Sequence, residues 1–195
     1  MFFTGSVYIW LFLILSEAQN CFRKGKSIDT AVQSFIGRIQ KALDKPVHTD
    51  GTFIDLTKAY DVLNHKLLLE KLFYCGIRGS TNLSFRSFLT HRKQFIEICQ
   101  RDSSSMRVKR YKSSSIEINQ DVPQGSVLSP LLFLLYINYL PVNIHDANLV
   151  MLADDINVLI SDSDESLLQT KIDRVVADLE NWFNRNDLVI NVGKT

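Results

Sequence analysis

Apolar residues along the chain change their spacing several times, and each change predicts an element. From residue 29 to 44 they recur at Ala31, Val32, Phe35, Ile36, Ile39, Ala42 and Leu43. That is the three-and-four spacing of one helix face, and Ser27 or Asp29 is placed to cap its start. Thr52 to Leu56 is a short apolar run holding one carboxylate, Asp55, and predicts a buried strand ending near that acid. Residues 64–75 return to helical spacing through Leu67, Leu68, Leu69, Leu72 and Phe73, and Gly76 suits a helix C-terminus. A short helix follows over 81–90. Phe95 to Ile98 and Ser115 to Ile118 read as strands. The serines at 103–105 and the stretch from Arg107 to Lys112 between them read as an exposed hairpin or loop.

Residues 126–140 are apolar on every side and predict a buried helix. Leu149 to Ala153 and Ile156 to Ile160 then flank Asp154 and Asp155, so two apolar strands meet at a pair of acids and predict a hairpin. Over 163–184, Leu167, Leu168, Ile172, Val175, Val176, Leu179 and Trp182 mark one face of a long amphipathic helix. Leu188 to Val192 reads as a last strand. Helices on a largely antiparallel sheet make an α+β architecture.

Composition changes this picture little. The 195 residues suffice for one domain with a core. A net charge of +1 does not point to nucleic acid, so any such binding must come from local patches. Cys21, Cys75 and Cys99 are odd in number and far apart, which argues against a disulfide framework or a zinc site and for free, buried thiols. Residues 1–15 are mostly apolar, and Ser16-Glu17-Ala18 has the small residues of a cleavage site. No Lys or Arg precedes the run, and it is short for a bilayer span. An apolar leader of uncertain status, on a chain that stays inside the cell, is therefore the reading preferred over secretion. Ser126 lacks a nucleophile elbow, and no phosphate-binding P-loop occurs.

The candidate chemistry rests on Asp55, Asp154 and Asp155. Each sits at the edge of an apolar strand, where an unpartnered charge is costly. Two carboxylates about 4 Å apart repel by about 4 kcal/mol at an effective dielectric near 20. A retained proton or a bound cation must compensate, and a hard divalent ion such as magnesium suits oxygen ligands. Read singly, Asp154-Asp155 is equally a polar turn, Tyr60 a core aromatic, Gln124-Gly125 a bend, and Lys194 a solvated end. Arg107, Lys109, Arg110 and Lys112 read as a solvated loop rather than a nucleic-acid patch.

Read together, these residues resemble the motifs of reverse transcriptases of the non-LTR retrotransposon type. Phe53-Ile54-Asp55-Leu56-Thr57-Lys58-Ala59-Tyr60-Asp61 is similar to motif A, Val122-Pro123-Gln124-Gly125-Ser126 to motif B, and Leu152-Ala153-Asp154-Asp155 to motif C. Order and spacing also match. His65 to Gly79 and Leu131 to Pro141 resemble the connecting palm helices, Gln19 to Ser27 the segment before motif A, and Trp182 to Thr195 motif D. The likeness runs from about residue 16 to 195.

The resemblance implies a polymerase palm with helices packed on an antiparallel sheet, the fingers incomplete and the thumb absent. It implies an RNA-directed DNA polymerase working on an RNA template, a DNA primer and deoxynucleoside triphosphates, with two magnesium ions (or manganese) and no small-molecule cofactor. Asp55, Asp154 and Asp155 would hold the metals. Tyr60 would lie under the incoming sugar. Gln124 and Gly125 would shape the nucleotide pocket, glycine allowing close backbone approach. Lys194 would protonate pyrophosphate, and Arg23 with Lys24 would lie near template or triphosphate. The competing expectation is a catalytically dead element remnant with weak nucleic-acid binding. Departures from the family pattern are Cys21, Asp121 and Ser129 for glycines, Tyr139 for an aspartate, and Leu152 for the motif C aromatic.

Overall fold

The structure, a computed structural model, describes residues 14–101, 108–123 and 125–195. Residues 1–13, Ser103–Ser105, Arg107 and Gln124, all singled out above, lie outside it. The first element is α1 (Ile28–Leu43), closed at its start by a reciprocal cap: the Ser27 side chain accepts from the Thr30 N–H, and the Thr30 hydroxyl accepts from the Ser27 N–H. β1 (His48–Ile54) then ends one residue before Asp55. α2 (His65–Tyr74) is capped by the Asn64 side chain. It stops because Gly76 takes φ +87°. The Ile77 N–H then reaches the Leu72 carbonyl and the Gly76 N–H that of Phe73, the paired bonds of a Schellman ending. α3 (Gly79–Leu89) packs beside it.

Four short strands follow. β2 (Arg92–Gln94) pairs with β5 (Ile116–Ile118), and β3 (Glu97–Arg101) with β4 (Val108–Lys112). The strand expected over Phe95 to Ile98 is therefore corrected. Phe95 and Ile96 form the break where the chain leaves one ribbon and enters the next. β3 and β4 pair antiparallel, in keeping with the hairpin reading of the two that were open.

The predicted helix over 126–140 divides into α4 (Leu128–Ile137) and α5 (Leu140–Asn143). Pro141 lies in the first turn of α5, where a missing N–H costs nothing, and it starts a new helix better than it continues an old one. Residues 131–137 are all at most 2% exposed, so α4 is the axis of the core. β6 (Asn148–Leu152), β7 (Asp155–Asp162) and α6 (Glu165–Arg185) complete the order, α6 being capped by the Asp164 carboxylate.

The main sheet is antiparallel with order β1-β7-β6. α1 covers the face that carries Phe53, whose ring lies 5.6 Å from that of Phe35. α6 covers the other face, where Thr52, Ile54 and Val158 meet Val176 and Leu179. This is the α+β layering that the patterning predicts. The expected strand over Leu188 to Val192 shrinks to one bridge, Ile190 to Leu56. The thiols also depart from expectation: Cys75 is buried, Cys21 half-buried and Cys99 exposed. No helix among the described residues is long and apolar enough to cross a membrane.

Candidate active site

The acids converge because β7 lies in the middle of its sheet. Its pairing with β6 ends at Leu152 opposite Asp155, leaving Ala153 and Asp154 as a tight turn. Ala153 takes φ +55°, a left-handed conformation that a β-branched residue would resist. On its other side β7 pairs with β1, ending at Ile54 opposite Ile156. One further step of that register sets Asp55 against Asp155. Acids almost a hundred positions apart in sequence thus share one end of one sheet.

The electrostatics report this proximity. Burial pushes the Asp154 carboxyl above its ordinary range, and the negative charges of Asp155 and Asp55 add to the effect. A hydrogen bond from its own backbone N–H and the charge of Lys194 act against it. Asp55 is better compensated: its Oδ2 accepts from Asn191 Nδ2 at 2.8 Å, with Lys194 Nζ at 3.6 Å. Both partners come from the C-terminal segment. Its backbone is tied down by Asn191 N–H to the Asp55 carbonyl and by Thr57 N–H to the Val189 carbonyl. Among the described residues, no three His, Cys, Asp or Glu side chains close up as a metal-ligand group.

Tyr60 stands beside the acids. Its ring lies 4.7 Å from that of Phe133, and burial, then the Asp154 charge, push its hydroxyl up to about 12. With Val122, Gly125 and Ser126 it lines a cavity of about 350 Å³. Gly125 has φ +79°, and a Cβ built there meets nothing within 4 Å. Its backbone conformation therefore favours glycine. Arg23 turns elsewhere: its guanidinium pairs with Glu17 at 2.8 Å and donates to the Ser16 carbonyl. A larger groove of about 880 Å³, lined by Lys66, Arg86, His91 and Glu117 among others, includes none of these site residues.

Two neighbours escaped sequence reasoning. Gln19 is 2% exposed, and its Oε1 accepts from the N–H groups of Asn20, Cys21 and Ala153 at 3.0, 3.1 and 3.0 Å. The Met151 N–H also donates to the Ala18 carbonyl, and the Asn20 N–H to that of Met151. Residues 18–21 thus clamp the strand that delivers Asp154. Cys21 is the second: burial, then Asp154 and Asp155, raise its thiol. The only hint in the sequence was that both lie in the segment resembling the family's stretch before motif A.

Asp121, which stands for a glycine of the family pattern, adopts φ +89°. It is held there by an ion pair with Arg92, by its N–H on the Leu63 carbonyl, and by His65 Nε2 on its own carbonyl at 2.7 Å. Ser129, also in a glycine position, is buried and donates to the Pro123 carbonyl.

Comparison with known proteins agrees with this geometry. The sequence pattern of the reverse transcriptase (RNA-dependent DNA polymerase) family matches residues 8–195. A curated relative, the probable RNA-directed DNA polymerase from transposon BS of Drosophila melanogaster, is 30% identical over 193 residues. That match covers 93% of this chain and 20% of the relative, so the chain spans about a fifth of that protein's length. The fold resembles apo telomerase of Candida tropicalis truncated from its C-terminal domain. There the TM-score is 0.61 at 16% identity, over 97% of this chain and 39% of that one. Telomerase of Candida albicans in complex with a TWJ fragment of telomeric RNA gives a TM-score of 0.56 at 13% identity, over 97% and 34%. The retrotransposon resemblance carried by motifs A, B and C is borne out, and the chain belongs to the reverse transcriptase (RNA-dependent DNA polymerase) family.

Proposed function

We propose that the chain carries the nucleotidyl-transfer centre of an RNA-directed DNA polymerase, serving an RNA template, a DNA primer and deoxynucleoside triphosphates. The observation that carries the reading is the meeting of Asp55, Asp154 and Asp155 at one sheet end, beside a cavity lined by Tyr60 and Gly125. The family depends on divalent metal. A bound cation would offset the burial and the neighbouring Asp155 and Asp55 charges that raise the Asp154 carboxyl, because Lys194 and Asn191 lie against Asp55. Asp55, Asp154 and Asp155 would hold two magnesium ions, or manganese. Bound there, the metal supplies charge neutralisation on phosphoryl oxygens and acidifies the primer hydroxyl.

The chain's own residues supply position. Tyr60, packed on Phe133, would give the nucleotide sugar a flat floor and exclude a ribose 2′-hydroxyl. Gly125 holds the bend that shapes the cavity wall, with Gln124 next to it in sequence. Lys194, 70% exposed at its side chain, is free to swing from Asp55 towards leaving pyrophosphate and donate a proton. Gln19 fixes the turn that carries Asp154, and positioning of this kind supplies much of phosphoryl-transfer catalysis.

Primer extension on an RNA template with magnesium tests the reading. Extension should be measurable and should fall at least about a hundredfold in Asp154→Ala. One observation favours the non-catalytic remnant: Arg23 is already neutralised by Glu17 and so is not offered to a triphosphate. Absence of extension at every protein concentration would select that alternative.

A further inference from the structure

The chain is nearly neutral overall, yet its charge is not evenly spread. Residues 92–112 hold seven of the 22 Lys and Arg residues and two of the 21 Asp and Glu. That stretch is net +5, and the remainder is net −4. Among the described residues of this stretch there is one acid, Glu97, which Lys112 and Arg110 approach at 3.2 and 3.7 Å. Arg101 and Lys109 have no carboxylate within ion-pair distance among the described residues.

The β3–β4 ribbon sorts these groups by face. Directly paired residues share a face, and faces alternate along a strand. One face carries Glu97, Lys112, Arg110 and Arg101. The other carries the pair Ile98 and Tyr111, followed by Gln100 and Lys109. Every residue of both strands is exposed, Ile98 at 62% and Tyr111 at 53%. This is a cationic ribbon with an open aromatic. It matches a partner offering phosphates for the cations and a flat ring for Tyr111.

We propose that the β3–β4 ribbon is a binding surface for single-stranded nucleic acid. Lys109 takes a backbone phosphate, and Tyr111, flanked by Ile98 on the same face, stacks an unpaired base. The surface lies outside the acid cluster and the Tyr60 cavity. It rests on the polymerase reading only for which strand would be held.

The test is fluorescence anisotropy of labelled single-stranded RNA, and of an RNA/DNA hybrid duplex, titrated with the 195-residue chain at several salt concentrations. Lys109→Ala should weaken single-strand binding and reduce the slope of log affinity against log salt by about 0.7, the loss of one phosphate contact. Tyr111→Ala should weaken single-strand binding roughly tenfold and leave the slope unchanged. All variants sit on exposed positions, and circular dichroism checks that they fold. Unchanged affinity and slope in Lys109→Ala would overturn the proposal. So would tighter duplex binding insensitive to Tyr111, or a change in self-association with RNA affinity unaltered. Asp154→Ala separates the two readings: it should stop extension and leave ribbon binding intact.

Discussion

The chain contains two antiparallel hairpins of equal pairing length and opposite fate. In β6–β7 the paired residues Met151 and Ile156 are 1% and 0% exposed, and Val158 and Ile160 are equally buried. In β3–β4 every residue is exposed. The difference is written in the spacing. Leu149-Val150-Met151-Leu152-Ala153 and Ile156-Asn157-Val158-Leu159-Ile160 are nearly continuous apolar runs, as a strand covered on both faces requires, whereas Val108-Lys109-Arg110-Tyr111-Lys112 interleaves charge with apolar residues. β7 gains β1 on its second edge and helices on both faces, while β3 and β4 have only each other. A turn that carries acids needs the first arrangement, because acids that repel must be held by a scaffold too stiff to relax. A surface that meets a flexible strand can use the second.

The largest expected effect tests the stiffness directly. Ile156→Ala removes a wholly buried side chain beside the acid pair and should cost about 2–5 kcal/mol, read as a lower midpoint in urea. A loss under about 1 kcal/mol would mean that β7 is not the rigid member. Next comes the clamp under the turn. Gln19→Leu leaves the Cys21 and Ala153 N–H groups without their acceptor and should cost about 1–3 kcal/mol. If Gln19 positions the turn, kcat for extension should drop more than KM rises. A proportional loss of both kcat and folded fraction would reduce Gln19 to a structural role.

A smaller effect, of opposite sign, belongs to Asp154. Its folded carboxyl titrates above the ordinary 3.8, so between the two values the folded state binds more protons than the unfolded chain. Stability therefore falls as pH rises through that window, and the penalty persists at neutral pH. Asp154→Asn should raise the melting temperature by roughly 2 °C at pH 7. Magnesium should raise that of the parent chain and lose this effect in the variant. An unchanged or lower melting temperature would show that the acids do not strain the fold. The smallest effect is on the ribbon, where Ile98→Ala should stay within about 0.5 kcal/mol, and a larger loss would erase the contrast between the hairpins.

Much of this was legible in local pattern. Helical spacing located α1, α2 and α6 to within one or two residues, and the acid pair between two apolar runs located the β6–β7 turn. The misses share one cause. Phe95 and Ile96 look strand-like but sit where the chain passes between two ribbons. Leu188 to Val192 looks like a strand but finds only Leu56 to pair with. Propensity cannot say whether a partner is in reach.

What the sequence alone determined is therefore which residues are available: three acids at strand ends, an aromatic five positions after the first, a glycine where φ must be positive, and a basic stretch set apart from a neutral whole. What only the tertiary structure decided is who stands next to whom. The central place of β7 sets Asp55 against Asp155. The return of the C-terminal segment brings Asn191 and Lys194 to Asp55, and Gln19 reaches across more than a hundred residues to hold Ala153. Local spacing encodes which face of an element is apolar. It does not encode register between distant strands, which is settled only when competing buried faces and backbone donors are satisfied together.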